Sequence, residues 1–177
     1  MANIPRFRVY LAGPDVFYAD AEARYARLKA LCETHGLEGV APIDDLEALQ
    51  DQTPVEARII RDHCLRLQRS CHATLANITP YRGLEPDSGT AYEMGRGSEI
   101  GHAIASYCYD GLDTRSRILR AGRLLDRDGR DDDGLLVERF GLYANAMLCA
   151  DHPAFNTPLE AIQSVLEQLL RANREAA

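Results

Sequence analysis

Short apolar runs alternate with amphipathic patterns along the chain, and each run ends at glycine, proline or a polar cluster. Runs rich in apolar and β-branched residues predict buried strands at residues 7–12, 39–43 and 73–78, and a fourth strand within 100–109. Apolar residues at helical spacing predict helices over 20–35, 54–69 and 157–172, and another beginning near Gly89 or Thr90. Thr157 is the expected N-cap of the last helix, with Pro158 at its first position.

This alternation of strands and helices is typical of a parallel sheet covered by helices on both faces. We therefore predict an α/β protein, a single doubly wound (flavodoxin- or Rossmann-like) domain over residues 1–177 with about five strands. In such sheets, ligands bind outside the carboxyl ends of the strands. The segments 13–17 and 77–89 should then lie on the ligand-binding edge.

Residues 110–134 interrupt the pattern with a polar, aspartate-rich stretch. The low apolar content predicts a solvated insertion. A calcium loop is the alternative, because five aspartates supply oxygen donors, but the spacing and terminal glutamate of an EF-hand are absent. The polar segment 44–54 is predicted to be a loop.

Composition excludes several classes of partner. The net charge is −7 and no basic stripe is present, so we expect no nucleic acid polymer and no anionic membrane surface as a partner. No apolar run reaches the roughly 18 residues that a membrane span needs, and no secretory signal is evident, which predicts a cytoplasmic location. The five cysteines are irregularly spaced and are interpreted as reduced thiols, in preference to a metal site built from His63-Cys64 and Cys71-His72.

Two carboxylates, Asp87 and Glu93, flank the predicted start of a helix. Gly89 between them allows a ligand to approach the backbone closely, and the helix start offers free N–H groups whose field favours an ionised carboxylate. Two acids in one cleft can divide the roles of nucleophile and proton donor. The structural alternative is that Asp87 only caps the helix and Glu93 forms a surface ion pair. Glu99 is a second candidate acid.

Three motifs together resemble the nucleoside 2-deoxyribosyltransferase family. They are YLAGPDVF at 10–17, NITPYRG at 77–83 and EPDSGTAYEMG at 85–95, and the similarity resumes with YANAML at 143–148. The resemblance implies a doubly wound α/β fold, oligomeric assembly, no cofactor and no metal. It implies transfer of 2-deoxyribose between a deoxynucleoside and a free nucleobase.

The resemblance also assigns roles to individual residues. Glu93 matches the nucleophile, Asp87 the acid that binds the deoxyribose and base side, and Tyr10 the tyrosine that orients the nucleophile. Substrate contacts are implied for Gly13, Asp15 and Phe17, in the loop that closes over the nucleoside. They are also implied for Ser88 and Gly89 at the helix start, and for Asn145, which the family supplies to a neighbouring subunit's site. Without the resemblance, Tyr10 could equally be a strand tyrosine packed in the core, and Asn145 a helix cap or turn residue.

The chain departs from the family pattern at the base-binding positions. Cys64 stands where the family often has Asp or Asn touching the base, and His72 stands where an acid is frequent. Asp62 is a possible substitute, although two residues along a helix point to a different face. The preferred base therefore stays open. So do two other functions: a deoxynucleoside or deoxynucleoside 5′-monophosphate N-glycosidase, for which Ser88 would bind the phosphate, and a non-catalytic nucleotide-binding module.

Overall fold

The strands of the computed structural model, which describes residues 7–46 and 52–176, form one parallel sheet. The sheet has five strands in the order β2-β1-β3-β4-β5, and every neighbouring pair is parallel. The strands are β1 (Arg8–Ala12), β2 (Glu38–Val40), β3 (Ala73–Asn77), β4 (Ala103–Tyr107) and β5 (Ala154–Phe155). The predicted α/β fold class with about five strands is confirmed.

The helices lie close to their predicted positions because the sequence carries clear start signals. They are α1 (Ala21–Thr34), α2 (Pro54–Arg69), α3 (Ser88–Glu99), α4 (Thr114–Arg120), α5 (Ala146–Cys149) and α6 (Pro158–Glu175), with a 3₁₀ turn at Pro14–Phe17. Thr157 caps α6 in a capping box with Glu160, as the Thr-Pro start predicted, and Thr53 does the same for α2. Within the described ranges, no helix is long and apolar enough to span a bilayer.

The two faces of the sheet carry separate cores, because successive residues of a strand point to opposite sides. Val9 and Leu11 of β1 pack with α1 and α6, including Tyr25 and Ile162. Tyr10 and Ala12 face the other way, in a cluster whose members come from α3, α5 and the segments around them, including Met94 and Cys149. The helices therefore cover both faces, and Tyr10 lies on the face that carries α3.

The predicted solvated insertion is more ordered than its composition suggested. Its first part contains α4, and both Arg117 and Ile118 of that helix are buried. The Arg117 guanidinium pairs with the Asp110 carboxylate at 2.7 Å and donates to the carbonyl oxygens of Leu112 and Tyr143. The polar content that predicted solvation partly belongs to this buried ion pair. The predicted loop 44–54 falls partly outside the described residues.

The chain order creates a crevice at the carboxyl ends of β1 and β3. From β1 the chain moves to β2 on one side and then to β3 on the other, which is a topological switch point of the kind where α/β proteins bind ligands. The loops after the two strands are joined here, since the Asn77 amide donates a 2.8 Å hydrogen bond to the Asp15 carboxylate. This is the edge on which the segments 13–17 and 77–89 were expected.

Candidate active site

Glu93 and Tyr10 meet at the switch point, one from α3 and the other from β1. The Tyr10 hydroxyl donates to Glu93 Oε1 at 2.6 Å, and the Tyr10 side chain is fully buried. The structure thus brings together two residues 83 positions apart in the sequence. Within residues 7–46 and 52–176 Glu93 forms no ion pair, because its carboxylate faces Tyr10, so the surface ion pair considered for this residue is not formed.

The environment of Glu93 favours its protonated form more than the sequence suggested. Burial raises its pKa to about 7, the hydrogen bond from Tyr10 lowers it, and the negative charge of Asp87 raises it. The expectation that the helix start would hold this carboxylate ionised is not met, because Glu93 is the sixth residue of α3 and the helix field fades beyond the first turn. Burial and the charge of Glu93 raise the pKa of Tyr10, so the phenol stays a hydrogen-bond donor.

Asp87 both caps α3 and faces the crevice. Its Oδ2 accepts hydrogen bonds from the Thr90 backbone N–H at 2.9 Å and from the Thr90 hydroxyl at 3.1 Å. A Cβ at Gly89 would lie 3.0 Å from the same oxygen, so the absence of a side chain at Gly89 leaves Asp87 open to the crevice. Glu99 is exposed at the last position of α3, away from this pair.

A cavity of about 430 Å³ opens beside these residues. We call the polar part of its lining the carboxylate side, formed by Asp87, Gly89 and Glu93 together with Gly13. The other described lining residues, which we call the apolar wall, are Val16, Phe17, Pro42, Ile43, Leu46, Ile60 and Cys64. A cavity with a few placed polar groups and a large apolar surface suits a small molecule with a polar part and a flat apolar part.

Among the described residues that line the cavity, the charged side chains are both acidic. None of the described residues that line it is arginine, lysine or histidine. Across residues 7–46 and 52–176, no group of three or more His, Cys, Asp or Glu side chains could hold a metal ion. The site therefore offers carboxylates, a phenol and a thiol as its chemical groups.

The 13–17 loop forms part of the cavity, but its members differ in what they do. A Cβ at Gly13 would lie 2.8 Å from Asn77 Cβ, so only glycine lets the loops after β1 and β3 approach this closely. Phe17 is exposed, lines the cavity and stacks on Tyr81 with ring centroids 5.0 Å apart. Asp15 is buried and bonded to Asn77 and Arg24, and it does not line the cavity.

The remaining predicted residues lie elsewhere in this chain. Asp62 is exposed and pairs with its neighbour Arg61 at 3.2 Å. Ser88 is exposed at the first position of α3 and does not line the cavity. Asn145 is exposed, caps α5 and donates to Glu138 at 2.9 Å, on a different surface. His72 precedes β3, at the opposite edge of the sheet from the cavity, and accepts from the Arg8 backbone N–H.

A buried polar network behind Glu93 was missed by the sequence reasoning. Gln68 is fully buried in α2, and its amide donates to the Glu93 carbonyl oxygen at 2.6 Å and to the Thr74 hydroxyl at 3.2 Å. The Arg96 guanidinium donates to the side-chain amide oxygen of Gln68, Oε1, at 2.7 Å. The available signal was spacing: Gln68 is four residues after Cys64 and therefore on the same face of α2. This network ties α2, β3 and α3 together around the turn that carries Glu93.

Comparison with known proteins agrees with this arrangement. The sequence model of the nucleoside 2-deoxyribosyltransferase family matches residues 9–147. The chain belongs to this family. The matched range includes Tyr10, Asp87 and Glu93, and family membership makes the protein a nucleoside 2-deoxyribosyltransferase by enzyme class, with nucleosides and nucleobases as the implied substrates.

Individual relatives resemble the chain to different degrees. A 2-deoxyribosyltransferase from Leishmania mexicana is 30% identical, with a TM-score of 0.72 over 91% of this chain and 97% of that chain. An uncharacterised protein of Schizosaccharomyces pombe is 28% identical over 78% of this chain and 74% of its own length. A conserved protein from Enterococcus faecalis, at 13% identity and a TM-score of 0.58 over 93% of this chain and 99% of its own, shares the fold alone.

Proposed function

We propose that this enzyme transfers the 2-deoxyribosyl group between nucleobases by a retaining double displacement through a covalent glycosyl-Glu93 intermediate. The single observation that carries the proposal is the half-buried Glu93 carboxylate, which lines the cavity and accepts a 2.6 Å hydrogen bond from the buried Tyr10. A polar sugar fits the carboxylate side, and a flat base fits the apolar wall.

In the first displacement a Glu93 carboxylate oxygen attacks C1′ of the deoxynucleoside. The bond from C1′ to the base nitrogen breaks, and the departing base keeps the electron pair and takes up a proton. Positive charge develops at the sugar in this step, and a carboxylate beside C1′ stabilises it before trapping it as an ester. Asp87, which faces the cavity from the turn before α3, clamps the substrate and in its protonated form supplies this proton, which it takes back from the incoming base in the second displacement.

In the second displacement the nitrogen of an incoming base attacks C1′ and the ester bond to Glu93 breaks. The incoming base loses its proton, and Glu93 leaves as a carboxylate. Two inversions give net retention at C1′. Tyr10 supports both steps, because its hydroxyl holds the free oxygen of Glu93 and favours the leaving carboxylate by a charge-assisted hydrogen bond.

The substrate in this proposal is a nucleoside, not its 5′-monophosphate. Phosphate recognition generally uses arginine, lysine or free helix N–H groups. No basic side chain is present among the described residues lining the cavity, and Ser88 lies outside its lining. Two carboxylates at the carboxylate side would also repel a phosphate dianion.

We further propose that the enzyme works as a homo-oligomer in which Asn145 completes a neighbouring subunit's site. Asn145 is exposed and outside the cavity of its own chain, as this arrangement requires. Complementation tests it: Glu93→Ala and Asn145→Ala chains are inactive alone and regain activity when refolded together, since a mixed oligomer contains one intact site. No recovery on mixing would contradict the shared site.

Product analysis tests the proposed reaction. The enzyme is incubated with a deoxynucleoside, with and without a second free base, and the products are separated by chromatography. We expect a new deoxynucleoside only when the acceptor is present, with no turnover by Glu93→Ala. Rapid release of free base without an acceptor, and no new nucleoside with it, would instead establish an N-glycosidase. Binding without turnover that persists in Glu93→Ala would establish a non-catalytic binding module.

A further inference from the structure

We propose that Gln68 is a positioning residue: its buried amide fixes helix α3 against strand β3 and thereby holds the Glu93 carboxylate against the Tyr10 hydroxyl. The inference rests on the proposed role of Glu93 as the nucleophile. Gln68 is not among the described residues that line the cavity, so it acts through the backbone of Glu93 and not on the substrate.

The Gln68 amide has one orientation that satisfies its surroundings. The side chain is fully buried, and its Nε2 donates to the Glu93 carbonyl oxygen at 2.6 Å and to the Thr74 hydroxyl at 3.2 Å. Its Oε1 accepts from the Arg96 guanidinium at 2.7 Å. A guanidinium can only donate and a carbonyl oxygen can only accept, so turning the amide over would break both of these bonds. Gln68 is therefore held in place between α3 and β3.

The Glu93 carbonyl does not need Gln68 in order to be paired. Glu93 lies inside α3, and in an α-helix the N–H four residues further on donates to every carbonyl except the last four. The bond from Gln68 is thus additional to the helix's own pairing. It anchors to α2 the turn of α3 from which the Glu93 side chain projects.

The second arm of the amide reaches the sheet beside Tyr10. Thr74 of β3 and Tyr10 of β1 are partners in the parallel register, so their side chains point to the same face of the sheet. Gln68 therefore bridges the neighbour of Tyr10 and the backbone of Glu93. The 2.6 Å hydrogen bond from Tyr10 to Glu93 crosses the same space between the sheet and α3.

Gly97 shows how closely α3 rests on this bridge. A Cβ at position 97 would lie 2.8 Å from Thr74 Oγ1 and 3.3 Å from Gln68 Nε2. A contact of 2.8 Å requires a neighbour to shift, and both neighbours are held by hydrogen bonds. The helix is thus packed directly on the Thr74–Gln68 pair, and loss of the amide should change the spacing between α3 and the sheet.

This spacing controls the ionisation of the nucleophile. The ionisable groups near Glu93 are Asp87 before α3, Tyr10 of β1, Tyr25 of α1 and Cys64 of α2. Burial and the charge of Asp87 raise the pKa of Glu93 to about 7, whereas the hydrogen bond from Tyr10 lowers it. A longer bond from Tyr10 lowers this pKa less, so displacement of α3 leaves less of the nucleophile ionised at neutral pH.

The experiment records pH-rate profiles of base exchange for Gln68→Met, which keeps the length of the side chain without its hydrogen bonds. Rates are expressed per folded chain, with the folded fraction measured by circular dichroism. We expect kcat to fall about 10- to 100-fold, as for a misplacement of up to about 1 Å. The acid limb of kcat/KM should move to higher pH.

Gln168→Met is the matched control. The Gln168 amide also joins a helix to a strand, because it donates to the Ile104 carbonyl oxygen at 3.0 Å and accepts from the Ile104 N–H at 3.2 Å. It belongs to α6, which packs on the other face of the sheet from Tyr10. This variant should lose stability while its kcat per folded chain and its acid limb stay at the wild-type values.

A double-mutant cycle with Tyr10→Phe separates positioning from a general loss of structure. If Gln68 acts by holding the bond between Tyr10 and Glu93, adding Gln68→Met to Tyr10→Phe leaves the acid limb where Tyr10→Phe alone places it. Thr74→Val keeps the side-chain shape and removes only the arm of the bridge that reaches the sheet. It should move the acid limb in the same direction as Gln68→Met, by a smaller amount.

The outcomes separate the inference from the proposed function. A wild-type acid limb in Gln68→Met, an equal shift in Gln168→Met, or a shift that adds in full to that of Tyr10→Phe would overturn the inference and leave base exchange intact. If Gln68→Met does not fold, Thr74→Val decides, and an unmoved acid limb in that variant counts against the inference. Absence of base exchange by the wild type would refute the proposed function and the inference with it.

Discussion

Replacing Glu93 with glutamine should stabilise the protein, and by an amount that depends on pH. In the folded state burial raises the pKa of Glu93 from 4.5 to about 7. A carboxyl group whose pKa is raised on folding contributes stability that is fully present below the unfolded pKa and is lost as the pH rises through the folded pKa. At pH 8 the buried carboxylate is therefore a cost to folding, and Glu93→Gln removes it while keeping an oxygen that accepts from Tyr10.

The magnitude follows from the size of this shift. One pKa unit corresponds to about 1.4 kcal/mol, so the shift from 4.5 to about 7 sets an upper limit of about 3 kcal/mol at pH 8. At pH 5 the folded group is protonated and the cost is below about 1 kcal/mol by the same linkage. The stability gained by Glu93→Gln should therefore be about 2 kcal/mol larger at pH 8 than at pH 5.

Urea unfolding of the wild type and Glu93→Gln at both pH values measures the difference. Glu99→Gln, which neutralises an exposed carboxylate at the end of the same helix, is the matched control. Its change in the free energy of unfolding, relative to the wild type, should be nearly the same at the two pH values. An equal gain at pH 5 and pH 8 for Glu93→Gln, or a loss at pH 8, would refute the assignment of Glu93 as a buried carboxylate of raised pKa.

Three further substitutions test other parts of the account. Tyr10→Phe removes the hydrogen bond that lowers the pKa of Glu93, so the acid limb of kcat/KM should move from about 7 to higher pH and kcat should fall about 10- to 100-fold, as measured by pH-rate profiles. Gly13→Ala forces Cβ to within 2.8 Å of Asn77 Cβ, and calorimetry should show a loss of about 1–3 kcal/mol with a raised KM. Arg117→Leu leaves buried acceptors unpaired, and urea unfolding should show a loss of about 3 kcal/mol.

Much of the fold was predictable because local signals agreed with the global pattern. Thr157-Pro158 marked the start of the last helix, and short runs of apolar and β-branched residues marked the strands that lie in the centre of the sheet. The two-residue strand β5 carries too few residues for any periodicity to be visible. The helix α4 was hidden because one of its two buried residues is Arg117, and a sequence pattern assigns arginine to the surface unless its partner Asp110 is known in advance.

The candidate site was predictable only where sequence motifs carried it. The pairing of Tyr10 with Glu93 depends on a contact between β1 and α3 that no local pattern reports, and the resemblance supplied it. The sign of the Glu93 pKa shift was missed, since burial of position 93 is set by residues of α2 and β1 packing around it. The apolar wall was missed for the same reason: Pro42, Ile43 and Ile60 look like ordinary core residues until the crevice is formed.

Mass spectrometry of the enzyme quenched during turnover of a deoxynucleoside tests the central claim most directly. The account predicts one deoxyribosyl adduct per site, mapped by proteolysis to the peptide carrying Glu93 and to that side chain by fragmentation, and released when a free base is added. The adduct should be absent in Glu93→Gln and present in Glu99→Gln. An adduct on Glu99, or no adduct under conditions of measured turnover, would contradict the role of Glu93 as the nucleophile.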